Sequence, residues 1–207
     1  MLDNILKEDC CGCSACAQAC PNSCINMILD EEGFWYPKID KKNCINCKKC
    51  ENVCPTKKNS INNNERKGTV YISYALDDGI RLQSSSGGMF RLIAEEAINN
   101  SMIVYGAAFD SLFEVHHIAV DKIEDIRQLQ GSKYIQSRID DAYTDIKKKL
   151  KNGKKVLFAG TPCQVAGLKS FLQQDYEHLI TIGILCHGVP SLKIWRKYIE
   201  EQKQNFK

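Results

Sequence analysis

Eight of the chain's twelve cysteines fall into one spacing written twice: Cys10-x2-Cys13-x2-Cys16-x3-Cys20-Pro21, then Cys44-x2-Cys47-x2-Cys50-x3-Cys54-Pro55. Three thiols at two-residue gaps form a tight loop that covers three corners of a [4Fe–4S] cubane, and a more distant thiolate closes the fourth. Pro21 and Pro55 fix φ and remove an amide donor, which turns the chain away from each loop. Zinc prefers paired Cys-x2-Cys knuckles separated by a longer loop, so this run is poor zinc geometry. A disulfide framework suits small secreted domains, yet residues 1–9 contain no apolar signal core. The spacing therefore predicts two iron–sulfur clusters and one-electron chemistry.

In two-cluster modules of the ferredoxin type, the Cys before Pro ligates the other cluster. Cys10, Cys13, Cys16 and Cys54 are accordingly assigned to one cubane, and Cys44, Cys47, Cys50 and Cys20 to its partner. Cys11 and Cys24 fall outside the register and are expected as small packed thiols. Residues 27–39 alternate around an acidic turn with Gly33 and predict a hairpin. So short a module has no large core, so the clusters are expected to serve as one, covered by Phe34 and Trp35.

The chain has 207 residues and a formal charge of +3. No apolar run approaches the roughly 18 residues of a spanning helix, so a soluble, cytoplasmic protein is expected, without a membrane span. The densest basic patch, Lys147 to Lys155, lies at the end of a predicted helix, where positive charge complements the dipole. Nucleic acid is therefore not an expected partner. A polar stretch suggests the organisation: a ferredoxin-type domain over 1–58, a linker over 59–68, and a second domain over 69–207.

In that second domain, apolar β-rich runs at Val70–Tyr74, Met102–Phe109, Val115–Val120, Val156–Ala159 and Leu179–Leu185 predict strands. Helical stripes lie between and after them: Met89/Ile93/Ala97, Ile139/Tyr143/Ile146/Leu150, Val165/Leu168/Leu172 and Leu192/Trp195/Ile199. The expected fold class is an α+β ferredoxin-like two-cluster module followed by an α/β domain with a largely parallel sheet.

Three loops interrupt this pattern. Gln83-Ser84-Ser85-Ser86-Gly87-Gly88 opens a helix, as an anion site or as plain capping by Ser86. Gln130-Gly131-Ser132-Lys133-Tyr134 offers a Lys and an aromatic ring beside a flexible Gly, or is a surface turn. Gly160-Thr161-Pro162-Cys163-Gln164 and Cys186-His187-Gly188 follow two strands whose carboxyl ends share the edge where open α/β sheets bind ligands. Cys163 and Cys186 there read as half a metal site, a redox pair or ordinary buried thiols, with His187 beside them and His116, His117 and His178 incidental.

Taken in order, Ser85-Ser86-Gly87-Gly88-Met89-Phe90, Gly131-Ser132-Lys133-Tyr134, Gly160-Thr161-Pro162-Cys163-Gln164 and Cys186-His187-Gly188 resemble the coenzyme F-420 hydrogenase/dehydrogenase beta-subunit family. The resemblance implies an iron–sulfur flavoprotein that binds FAD in its α/β domain and passes electrons between clusters and a deazaflavin or another organic acceptor. It further implies that Ser86, Gly87 and Gly88 contact the flavin's phosphate region, with Gly131, Ser132 and Lys133 further along and Thr161, Cys163 and Cys186 in the same cofactor region. In deazaflavin-linked members, the cysteines matching Cys163 and Cys186 join a later Cys-x2-Cys segment around a further cluster. This sequence has no such segment, so either a truncated or split member or another role for these two thiols is expected.

The function so implied is an iron–sulfur oxidoreductase served by a redox partner protein or ferredoxin-type donor. The alternative is an electron-transfer subunit or fragment with clusters and no flavin chemistry of its own.

Overall fold

The computed structural model describes residues 6–57 and 68–205. Regular structure is brief at the N-terminal end, as a stretch poor in apolar side chains requires. It consists of α1 (Ala15–Gln18), the hairpin strands β1 (Ile25–Leu29) and β2 (Trp35–Ile39), and α2 (Lys49–Asn52). The hairpin pairs Ile25 with Ile39 and Leu29 with Trp35. The expected acidic turn closes it, with the Asp30 carboxylate accepting from the N–H groups of Glu32 and Phe34. Gly33 stands there at φ +91, where a side chain would be strained. The expected linker, apart from Gly68, lies outside the described residues.

The rest of the chain follows as α3 (Asp78–Leu82), α4 (Met89–Asn99), β3 (Met102–Phe109), β4 (Val115–Val120), α5 (Ile126–Leu129), α6 (Ala142–Lys151), β5 (Lys155–Gly160), α7 (Pro162–Leu172), β6 (Leu179–Gly183) and α8 (Leu192–Asn205). One sheet runs in the order β4-β3-β5-β6. The β3–β5 and β5–β6 pairs are parallel, and β4 is an antiparallel edge. Alternation along the strands builds a core on each face. Tyr105, Val156 and Phe158 meet Tyr143, Ile146 and Leu150 of α6 and Leu168, Phe171 and Leu172 of α7. On the other face Met102, Val104 and Leu157 meet Ala94 and Ala97 of α4 and Ile126 and Leu129 of α5. The result is three layers, helices on both sides of a mostly parallel sheet.

The N-terminal module packs on the α6–α7 face, where Cys13, Ala15 and Val53 are buried in the same core. Its hairpin turn is held by the start of α8, with the Leu192 N–H donating to the Gly33 carbonyl at 3.0 Å.

Two expected strands differ. Residues 70–74 form no strand: Val70, Tyr71, Ile72 and Tyr74 are exposed. β-propensity needs a partner edge, and this stretch instead runs against the loop before α4, with the Ala75 N–H donating to the Gly87 carbonyl at 2.7 Å. The last strand stops at Gly183 because its partner β5 stops at Gly160, and the Ile184 N–H to Gly160 carbonyl bond closes the ladder.

His117 is buried in β4, stacked on Phe158, with Nδ1 2.7 Å from the Ser137 hydroxyl and Nε2 3.0 Å from the Ala159 carbonyl. The carbonyl only accepts, so the proton sits on Nε2 and Nδ1 accepts from Ser137. Burial pushes this imidazole down to about 4, against a smaller opposing pull from the Ala159 carbonyl. The unfolded chain takes up the proton first, so stability is full above about pH 6.5 and falls as pH drops toward 4, by at most about 3 kcal/mol. Denaturant midpoints measured across this window should show a steeper pH slope for the parent than for His117→Phe.

Candidate functional site

The two cysteine runs fold as a backbone repeat. Gly12 and Ser14 have φ of +62 and +63, and their counterparts Asn46 and Lys48 have +52 and +57. Each pair is followed by a one-turn helix, α1 or α2, that carries Cys16 or Cys50. Left-handed residues leading into right-handed ones aim successive N–H groups into a concavity suited to anions. Only Gly12 adopts this hand without strain. The other three retain it at a cost of about 1 kcal/mol or more each.

Each concavity faces a hollow. The first, of about 310 Å³, is lined by Cys10, Cys11, Cys13, Cys16 and Cys54 together with Met27, Ile28, Tyr36 and Pro55. The second, of about 250 Å³, is lined by Cys20, Cys24, Cys44, Cys47 and Cys50 with Ile25, Ile39 and Ile45. Three thiols of each run thus meet the fourth thiol of the other. A water occupies about 30 Å³ of liquid, so either hollow has room for a polynuclear group. Among the described residues no three His, Cys, Asp or Glu side chains are arranged to hold a metal ion; the thiols border spaces instead of meeting at a point.

Burial pushes the Cys16 thiol up to about 12, helped by Cys10, Cys54 and Cys50 nearby, and it raises Cys10 and Cys50 too. Thiols so placed become thiolates only when cations replace their protons. Iron would supply such cations, and the soft donor set suits it.

Cys24 is a residue the sequence left as incidental. It is buried with its Sγ 3.3 Å from that of Cys20. Hydrogen bonding to Cys20, then burial, pushes Cys24 up to about 12. Burial alone would raise Cys20, but the bond from Cys24 and the N–H groups of Cys24, Asn22 and Ser23 outweigh it and hold Cys20 below its usual value. Cys20 is thus the more acidic thiol of the pair, which makes it the better ligand of the two.

Trp35, expected over the clusters, lines neither hollow. It packs in the cluster of Val115, Ile135 and Leu192, with the Arg138 guanidinium 5.0 Å from its ring centre. It pins the hairpin to the α/β domain.

Of the loop residues, Thr161 and Gln164 are spent on α7 itself. The Thr161 hydroxyl and the Gln164 side chain close a reciprocal capping box, with Pro162 in the first turn. The Gln164 amide also donates to the Ser137 carbonyl at 3.0 Å. The pattern Thr-x-x-Gln could have revealed this cap. Cys163 lies in that first turn, its Sγ 3.1 Å from the Thr161 hydroxyl, and it neighbours the Cys11 thiol. Cys186 and His187 are exposed, beyond the end of β6, and among the described residues no hydrogen bond joins Cys186 to Cys163.

The other two loops come together. The Ser132 N–H donates to the Ser85 hydroxyl at 2.7 Å. Gly88, at φ +81, is the N-cap of α4 and no side chain caps it, so Ser86 is not the cap. Added Cβ atoms on Gly87 and Gly88 would lie 3.0 Å from the Ser73 carbonyl and from Ile80. The Lys133 ammonium donates to the Gln128 and Gln130 carbonyls, and burial pushes it down to about 8.

Residues 9–58 match the 4Fe-4S dicluster domain family, and residues 153–207 match the family described as the C terminus of the coenzyme F420 hydrogenase/dehydrogenase beta subunit. A solved chain of the F420-reducing [NiFe] hydrogenase complex from Methanosarcina barkeri, studied as a xenon derivative, superposes with a TM-score of 0.51 at 20% identity. The match covers 63% of this chain and 50% of that one, so the present chain spans about half the length of its solved relative. No curated protein matches the sequence. Among the described residues no helix is long and apolar enough to cross a membrane.

Two substitutions test this geometry. The double change Cys20→Ala with Cys24→Ala, which also removes the neighbouring thiol, should abolish the cluster in the hollow of Cys44–Cys50 while leaving the other; EPR of the reduced protein reads each separately. A Cβ at Gly167 of α7 would lie 2.9 Å from Cys13 Cβ and 3.0 Å from its sulfur. Gly167→Ala should therefore destabilise the fold by about 1–3 kcal/mol and loosen the first cluster, seen as faster iron release to a chelator.

Proposed function

Because the chain joins a 4Fe–4S dicluster domain to a segment of the F420 hydrogenase/dehydrogenase beta-subunit family, we propose that it is an iron–sulfur oxidoreductase subunit exchanging electrons with an organic acceptor through two [4Fe–4S] clusters and FAD. The observation that carries the reading is the pair of hollows, each walled by three thiols of one run and the fourth of the other. In this reading Cys10, Cys13, Cys16 and Cys54 hold one cluster, and Cys44, Cys47, Cys50 and Cys20 the other.

When bound, the clusters would supply one-electron steps and the flavin would store two electrons. The chain's own residues do the positioning. Ile25, Ile39, Met27 and Ile28 keep water from the thiols. Gly12 and Ser14, with Asn46 and Lys48, aim amide donors at the sulfur of each group. With Cys20 bound as thiolate, the Cys24 S–H, 3.3 Å away, would hydrogen-bond it and steady the charge there.

For the flavin, the supporting observations are the uncapped N-terminus of α4 and the Lys133 ammonium. Lys133 meets two carbonyls and, among the described residues, pairs with no carboxylate. Helix N–H groups and a partly buried cation suit a pyrophosphate. Ser86, Gly87, Gly88, Gly131, Ser132 and Lys133 would cradle it. A deazaflavin acceptor rests on likeness to the family alone, so the acceptor is named by its class, an organic molecule.

A second reading, an electron-transfer subunit whose flavin is completed by another chain, is favoured by the exposure of Leu76, Leu82 and Tyr134 next to these loops. Iron, sulfide and released FAD measured on protein purified without oxygen decide between them. About eight irons, from two four-iron clusters, with one flavin support the first reading. The same iron without flavin, even after FAD is added, supports the second, and little or no iron overturns both.

A further inference from the structure

The two thiol hollows do not face the same surroundings. Cys13 and Cys16 of the first are buried, and Cys13 is wedged against Gly167 and the Tyr143 hydroxyl of the α/β domain. The second has the buried Cys24 in its wall but presents its Cys44–Cys50 loop outward. Cys47 is exposed, and beside it Ile45 is 62% exposed.

Charge gathers on that outward face. Residues 40–51 contain Lys41, Lys42, Lys48 and Lys49, all exposed, against Asp40 and Glu51. Both carboxylates are already engaged. Asp40 accepts from the Lys42 N–H and the Asn43 amide in a local turn, and Glu51 faces Lys57 at 3.6 Å and lies near Lys48. Lys48 and Lys49 moreover sit at the first positions of α2, the end where a helix disfavours positive charge. A lysine held in a left-handed conformation at an unfavourable helix end is a local conflict of the kind that accompanies function.

We propose that this face, Ile45 and Cys47 within a rim of Lys42, Lys48 and Lys49, is the docking surface for an acidic electron-carrier protein. The inference rests on the reading of the second hollow as a cluster site. An exposed ligand loop lets a partner's redox centre come close. The small apolar centre suits a short-lived complex, and redox encounters sit at the low end of interface sizes. The lysine rim would steer an acidic partner and set its orientation. The same lysines also lie near a cluster whose thiolates are negative, so simple charge compensation is the competing role, and the test separates the two.

The test is direct binding, with the oxygen-protected holoprotein and a strongly acidic flavodoxin as probe, read by fluorescence anisotropy. Binding should be measurable near 0.01 M salt and much weaker near 0.1 M, where the screening length falls from about 30 to about 10 Å. Lys48→Glu with Lys49→Glu should weaken it by about tenfold or more, while Lys151→Glu with Lys154→Glu, exposed on another element, should not. Iron content is measured on each variant. If the first pair loses its cluster, Lys42→Glu, outside the Cys44–Cys50 loop, takes its place. Equal weakening by the control pair, no binding at low salt with both clusters intact, or an altered cluster potential with unaltered binding overturns the proposal. Loss of iron from the parent protein would instead sink the cluster reading beneath it.

Discussion

Burial drives a thiol toward its neutral form, and the N-terminal module borders its two hollows with five thiols each while surrounding them with little regular structure. Two one-turn helices and a hairpin of five-residue strands bury too little apolar surface to order such a segment alone. The arrangement makes sense only if cations replace the thiol protons, at which point binding energy becomes folding energy. The exchange of Cys20 and Cys54 between the runs then matters as much as the metal. Each of these thiols borders the hollow of the other run, so each hollow draws its walls from both halves of the module.

That dependence extends into the α/β domain through a few close approaches. Cys13 fits only because residue 167 lacks a Cβ. The Gln136 amide donates to the carbonyls of Cys11 and Gly12, and Gln18 accepts from Thr144 at the start of α6. The first loop is therefore gripped from both ends by residues more than a hundred positions away. Helix α7, fixed in direction by its capping box, is the floor on which it rests. The second loop has no such floor, which explains why exposure and positive charge collect there and not on the first.

Much of this was legible because it obeys short periods. The doubled cysteine spacing announces two equivalent loops, and the left-handed residues repeat at the same offset. The stripes through Tyr143, Ile146 and Leu150 and through Leu168 and Leu172 mark faces that are indeed buried. What stayed hidden depends on contacts distant in sequence. Val70 to Tyr74 has the composition of a strand, but composition does not say whether an edge is free to receive it. Trp35 reads as a cover for the clusters until Arg138 and Leu192 are seen to hold it elsewhere. Cys11 and Cys163 are separated by most of the chain, and only the docking of the first loop on α7 makes them neighbours. The cap at Thr161 was readable locally and was obscured by the interest of the cysteine beside it.

The helix starts sort the three loops more sharply than their sequences do. At α7 the Thr161 hydroxyl and the Gln164 side chain satisfy each other's backbone donors, so the residues that looked like a ligand loop are consumed by the fold. At α4 the opposite holds: Gly88 offers no side chain, Ser84 turns back to the Ile80 carbonyl, and Ser85 is taken by Ser132. Donors at the end of an eleven-residue helix are thus left without a side-chain cap, and the loop bonded to Ser85 carries an ammonium that burial has made less basic. Unsatisfied N–H groups and a partly desolvated cation are both relieved by one anion. The proposed anionic cofactor would find its physical reason at α4 and Lys133, and the cysteine-bearing start of α7 is left to support the first cysteine loop.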